Sequence, residues 1–208
     1  MLVWILIALL VTVVGAAGAG AVVVANGRKR LGGGGSPLAL PDRAIERTLR
    51  ELRVGDVLTI DGKDFLSEGV ISYDEDGHRW TGARVVDGGD VRWIVVGLER
   101  SGNATVRLAT EDSGHEIAGY PPEALVLGEQ RYTLDKRGTA TCKLDGDVGS
   151  LAAREKGKQL AGTVERCRWW LYSAAGDDTA VVEQWGSDFR ILRGKKVGAD
   201  TIDLMPGS

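Results

Sequence analysis

From residue 54 onward, short β-rich runs are broken by turn signals at 61–62, 76–77, 87–89, 101–103 and 113–114, a spacing of 11 to 15 residues. Reversals at that rhythm, between runs of apolar and β-branched residues, predict an antiparallel sandwich or barrel. Asp61-Gly62 is the strongest of them, because a two-residue type I′ hairpin needs positive φ at both central positions. The candidate strands of this half are 56–60, 63–73, 79–86, 90–98 and 104–110.

The second half, from about residue 125, echoes the first. Val54-Gly55-Asp56 and its following strand are matched by Leu127-Gly128-Glu129 and the strand 131–135. Trp80, the turn at 87–90 and the run 91–96 are matched by Trp169-Trp170, the turn at 176–178 and the run 179–185. Residues 146–162 read as an insertion in the second copy, with a short helix around 150–156. The expected fold is therefore mainly β, built as two similar antiparallel units by internal duplication, over 42–124 and 125–208.

Ahead of these units, residues 2–25 carry no charge and are followed by Arg28, Lys29 and Arg30. An apolar run of 18 or more residues can cross the roughly 30 Å hydrocarbon core as a helix, so 1–27 is read as a transmembrane anchor. A cleaved signal peptide is the competing reading, but it would carry its basic residues before the apolar run and have a shorter core. Basic residues beside a span favour the cytoplasmic side, so Arg28, Lys29 and Arg30 predict a single-pass inner-membrane protein with a cytoplasmic C-terminal body. Ala16 and Gly20 sit in a small-xxx-small pattern that lets helix backbones approach closely, which predicts self-association through that face. Residues 28–41 form a basic, then Gly-rich linker, and Pro41-Asp42 with Ala44, Ile45, Thr48, Leu49 and Leu52 predicts one short amphipathic helix.

Charge and side-chain chemistry narrow the function classes. The chain has 26 basic and 29 acidic residues; without the three at 28–30, the remainder is 23 against 29, net −6. An acidic body argues against nucleic acid, whose binding draws on basic patches. His78 and His115 lie in turns and belong to no catalytic or zinc motif, and Cys142 and Cys167 are 25 residues apart with no CxxC. In a reducing cytoplasm the two cysteines would remain thiols. Gly32–Gly35 lacks the Lys-Ser/Thr of a phosphate loop, and Asp74-Glu75-Asp76 lacks the spacing of a calcium loop. No catalytic, cofactor or metal residue is assigned.

The aromatic residues Tyr73, Trp80, Trp93, Tyr132, Trp169, Trp170, Tyr172 and Trp185 fall in predicted strands. Successive strand residues face opposite sides, so Trp169 and Trp170 cannot share one core, and the pair is the candidate partner-binding site.

The segments Leu52-Arg53-Val54-Gly55-Asp56-Val57 and Asp61-Gly62-Lys63-Asp64-Phe65, with Gly69, Tyr73, Trp80 and Val91-Arg92-Trp93-Ile94, resemble the opening of a bacterial family, domain of unknown function 4178. The likeness continues through Tyr132, Gly138-Thr139-Ala140 and Val182-Glu183-Gln184-Trp185 and covers most of 50–205. This chain departs from it at Ile94, where the family usually has Leu, and in the insertion near 146–162. The resemblance implies an accessory role at the bacterial inner membrane, beside small multi-span membrane proteins and polyamine-synthase-like proteins. It implies no active site.

Together these readings predict a membrane-tethered, non-enzymatic adaptor or scaffold whose cytoplasmic β domain binds a protein partner, with another membrane protein a candidate. The alternative is an enzyme or small-ligand-binding protein, polyamine-related for example, using an aromatic pocket between the β units.

Overall fold

The computed structural model describes residues 49–100, 105–149 and 163–207, all within one compact unit spanning 40–208. The expected anchor, linker, most of the amphipathic helix and the helix at 150–156 lie outside these residues. Among the described residues, no helix is long and apolar enough to cross a membrane.

Among the described residues, eleven strands form one antiparallel sheet: β1 Val57–Ile60, β2 Lys63–Glu75, β3 His78–Asp87, β4 Asp90–Val96, β5 Val106–Glu111, β6 Ala124–Leu127, β7 Gln130–Gly146, β8 Thr163–Ser173, β9 Asp178–Trp185, β10 Asp188–Val197 and β11 Ile202–Met205. The hairpin chemistry acts as expected at two turns. Asp61 and Gly62 have φ of 52° and 74°, and Asp76 and Gly77 have 51° and 83°, the left-handed region that Asp and Gly tolerate.

The strand order is β11-β1-β2-β3-β4-β5-β10-β9-β8-β7-β6, and β2 also pairs with β7. That pairing closes β2–β5 and β7–β10 into an eight-stranded barrel. The predicted units therefore share one continuous sheet, joined at two seams, β5–β10 and β2–β7.

Strand order repeats in the two halves, each a hairpin leading into a meander. β1 begins at 57 and β6 at 124, and the register shifts at residue 68 in β2 and at 135 in β7, so the offset is 67 in both cases. On this register Gly128 stands in the hairpin turn matching Asp61-Gly62 rather than opposite Gly55, six residues from where the sequence echo placed it. The bulge at Glu68 has a structural task. One edge of β2 bonds β1 through Leu66 and β7 from Gly69 onward, and a bulge bends a strand where its pairing changes.

Three apolar clusters follow from the strict alternation of the strands. The barrel interior draws on all eight strands, including Ile71, Trp80, Trp93, Ala109, Leu192, Trp185, Trp169 and Ala140. Outside, Leu49, Leu52, β1 and β11 cover one flank through Leu58, Ile60, Phe65, Val85, Ile94 and Ile202. β6 and the start of β7 cover the other through Leu127, Tyr132, Trp170, Tyr172, Val182 and Ile191.

Candidate docking groove along β7

Two places in this fold gather chemistry: the barrel interior and the outer face of β7 and β8. Inside, Tyr73 donates to Glu183 Oε1 at 2.7 Å, Trp185 Nε1 donates to Glu183 Oε2 at 3.0 Å, and Arg190 Nε donates to the same oxygen at 3.1 Å. Arg190 Nη2 forms a second, shorter bond to Glu183, and its guanidinium lies 4.0 Å from the centroid of Trp93. Glu183 and Arg190 are both 2% exposed. Burial, then the Glu183 charge, pushes the Tyr73 hydroxyl well above its ordinary value. Burial alone would lower the Arg190 guanidinium, but Glu183 and Tyr73 hold it above its usual range.

The aromatic residues around this network are committed to packing. Tyr73 stacks on Trp80 at 5.0 Å between centroids, and Trp80 meets Trp169 edge-on at 5.6 Å. Cys142 and Cys167 are buried free thiols in the same interior, and burial, with Cys142 alongside, raises the Cys167 thiol well above the ordinary range. Among the described residues no group of three or more His, Cys, Asp or Glu could hold a metal ion.

On the outer face, the flanking cluster reaches as far as Trp170. Outward positions pair as Arg137 with Trp170, Thr139 with Arg168, Thr141 with Arg166 and Lys143 with Val164. All of these except Trp170 are exposed. Three concavities follow one another along the strand. The first, about 350 Å³, is lined by Tyr120, Arg137, Gly138, Thr139, Arg168 and Trp170. The second, about 400 Å³, lies among Ser72, Asp74, Arg79, Thr81, Thr141 and Lys143. The third, about 680 Å³, shares Arg50, Ser72 and Lys143 with the second and ends at Gly146.

Charge along this groove is uneven. Arg137 pairs with Glu123 at 3.1 Å, Lys143 with Asp145 at 3.3 Å and Arg79 with Asp74 at 2.9 Å. The hydrogen bond from Arg79, and then the Gly77 amide, holds the Asp74 carboxyl below its usual range. Arg50 and Arg168 have no ion-pair partner among the described residues, nor does Arg166, which lies on the same outer face but lines none of the three concavities. Where β2 ends, the Thr139 amide donates to Glu75 Oε1 at 2.9 Å, so that stretch of β7 needs no further strand beside it.

The two tryptophans singled out from sequence part company as alternation requires, yet both are buried. Trp169 faces the barrel interior, and Trp170 lies outside it beneath Tyr120, with ring centroids 5.5 Å apart at 86°. Trp170 is the one that lines the groove. Arg28, Lys29 and Arg30 lie outside the described residues. His78 is used locally against the Leu98 carbonyl at 3.2 Å, and His115 against Asp112 at 3.0 Å. The groove's cations were missed by a search for catalytic motifs. Their signal is the alternation Arg137-x-Thr139-x-Thr141-x-Lys143 opposite Arg166-x-Arg168, which marks a polar outer face.

The chain belongs to the family described as Domain of unknown function (DUF4178), which matches residues 53–199. No curated protein and no solved structure matches it.

Proposed function

We propose that this protein is a membrane-tethered, non-enzymatic adaptor at the bacterial inner membrane, and that its cytoplasmic β body docks a protein partner along β7. The observation that carries the reading is the groove. Among the described residues, an acidic body presents an exposed concave face lined by Arg50, Arg137, Lys143 and Arg168, while its barrel interior is filled by its own aromatic side chains. Tethering rests on the uncharged run 2–25 and the Arg28, Lys29, Arg30 cluster. Self-association through Ala16 and Gly20 would place two such grooves together. The 67-residue offset shared by the β1/β6 starts and by the bulges of β2 and β7 supports a duplicated β unit as the origin of the body.

The test is recovery of the intact, tagged protein from solubilised membranes. A reproducible partner is expected, and it should be lost on deleting 54–205. Recovery of nothing specific overturns the adaptor reading. Orientation is tested separately with a reporter after Ser208, active only in the cytoplasm; a periplasmic signal from the native sequence would refute the assigned topology.

A further inference from the structure

We infer that the first concavity, between Tyr120 and Arg168, is a binding site for a single carboxylate carried on a flat apolar group. The inference stands on the cavity itself and goes beyond the adaptor reading, since a chain end and a free acid both present this chemistry.

The walls come from two strands and one connection. Arg137 and Thr139 on β7 stand directly opposite Trp170 and Arg168 on β8, so alternation puts all four side chains on one face of the sheet. Tyr120, from the connection between β5 and β6, closes the side. The volume of about 350 Å³ is at the small end of the range for ligand cavities, about 300–1,000 Å³. It accommodates one ring, or one side chain with its carboxylate.

Donors dominate these walls. The Trp170 indole N–H has no hydrogen-bond partner among the described residues, although Trp170 is 2% exposed. Buried polar groups are almost always paired, and an indole N–H can only donate, so what satisfies it must be an acceptor. Arg168 and the Thr139 hydroxyl add donors to the same cavity, and a guanidinium binds carboxylate oxygens through paired bonds.

The charge count limits the ligand to one negative charge. Arg137 is paired with Glu123 at 3.1 Å. Glu75, which accepts from the Thr139 amide, is paired with Arg100 at 3.6 Å. That leaves Arg168 as the unbalanced charge of the site among the described residues. A doubly charged phosphate would face Glu123 and Glu75 as well as Arg168, at a cost in repulsion.

Tyr120 sets the apolar part. Its ring is 60% exposed, has the Arg137 guanidinium 5.8 Å from its centroid, and stands edge-on to Trp170. A flat group entering the cavity meets aromatic surface there. Because Trp170 lies beneath it, an outward turn of the Tyr120 side chain opens the way to the indole N–H.

Two-dimensional ¹H–¹⁵N spectra of the intact protein in neutral detergent test the inference, with the Trp170 indole signal assigned through its side-chain correlations. The probes are benzoate, the peptide acetyl-Ala-Ala-Phe with a free terminal carboxylate, the same peptide as its amide, and inorganic phosphate. Benzoate or the free-carboxylate peptide should shift the Trp170 indole signal saturably, and the tighter of the two identifies the source as a free acid or a chain end. The amide should not bind. Arg168→Gln should weaken binding about fivefold, the scale of one exposed ion pair. Arg166→Gln, on the same strand but outside the cavity, should leave it unchanged. Both arginines are exposed, so both variants should keep the native melting temperature. No shift with either carboxylate overturns the inference, as does equal binding of the amide or tighter binding of phosphate. Unchanged affinity in Arg168→Gln, or an equal loss in Arg166→Gln, overturns it as well.

Discussion

Replacing Glu183 by Gln should cost this fold a large share of its stability, because the carboxylate is the only acceptor in the Tyr73, Trp185 and Arg190 hydrogen bonds described above. Gln keeps the shape and one oxygen, which can still serve Tyr73. Its amide nitrogen then faces the Trp185 N–H and the Arg190 guanidinium, donors against donors. Removing one partner of a buried ion pair costs about 3–5 kcal/mol, since the remaining charge stays in an apolar interior. Arg190 is 2% exposed and cannot reach solvent without opening the barrel. A fall of about 4 kcal/mol or more is therefore expected, against a typical total of about 5–15 kcal/mol. The assay is urea unfolding followed by Trp fluorescence. With a slope of about 2 kcal/mol per M for a domain of this size, the midpoint should fall by about 2 M at an unchanged slope. The triple variant Glu183→Leu/Arg190→Met/Tyr73→Phe removes both charges and the hydroxyl, and should lie closer to the native protein than Glu183→Gln does. A Glu183→Gln protein within about 1 kcal/mol of native, on the scale of an ordinary hydrogen bond, would refute the reasoning.

Three other outcomes are expected. Trp80→Ala should destabilise by about 3–5 kcal/mol, the usual range for a large aromatic in a core, and an unchanged melting temperature would contradict its place between Tyr73 and Trp169. Gly194→Ala should destabilise by about 1–3 kcal/mol or more, because a Cβ there would lie 2.0 Å from the Leu108 carbonyl oxygen and 2.5 Å from the Ala109 Cα, main-chain atoms that cannot yield; Gly89→Ala, with open space around it, is the neutral control. The fold should lose stability in alkali: Cys167 and Tyr73 titrate above their ordinary values of 9.0 and 10.0, so their contribution is complete below those values and is lost as pH rises toward the folded ones. Melting temperatures between pH 7 and 11 should fall less steeply in Tyr73→Phe than in the native protein.

Local chemistry made the strands legible, while closure depends on a pairing that no local pattern announces. The Asp61-Gly62 and Asp76-Gly77 turns, the run 91–96 and the alternation of Trp169 with Trp170 all express short-range rules, and the structure places them accordingly. The sequence predicts a short strand at 131–135, whereas β7 runs from Gln130 to Gly146. Beyond Asp135 its sequence is rich in Thr, Lys and Gly, and its outward side is polar and exposed among the described residues. Its inward side, Ala140, Cys142 and Leu144, is made of small and medium residues that become a core only when β2 and β8 arrive on either edge. The β2–β7 seam joins residues about 70 positions apart, and neither strand shows in isolation that it needs the other.

The same cause hid the candidate site. Searches for function in a sequence favour histidines, cysteines and carboxylates at fixed spacing, or aromatic pairs such as Trp169-Trp170. Here the tryptophans are absorbed by two different cores, as a large apolar surface demands when one strand faces packed layers on both sides. What remains exposed is set by where the outer covers stop. Among the described residues, β1 and β11 shelter one flank and β6 the other, and the outward positions of β7 and β8 beyond Trp170 are exposed. Arg166 and Arg168 look like ordinary solvated charges until β7 places Thr139, Thr141 and Lys143 beside them. Their value for binding lies in that juxtaposition, because exposed side chains at alternate strand positions share one face of the sheet.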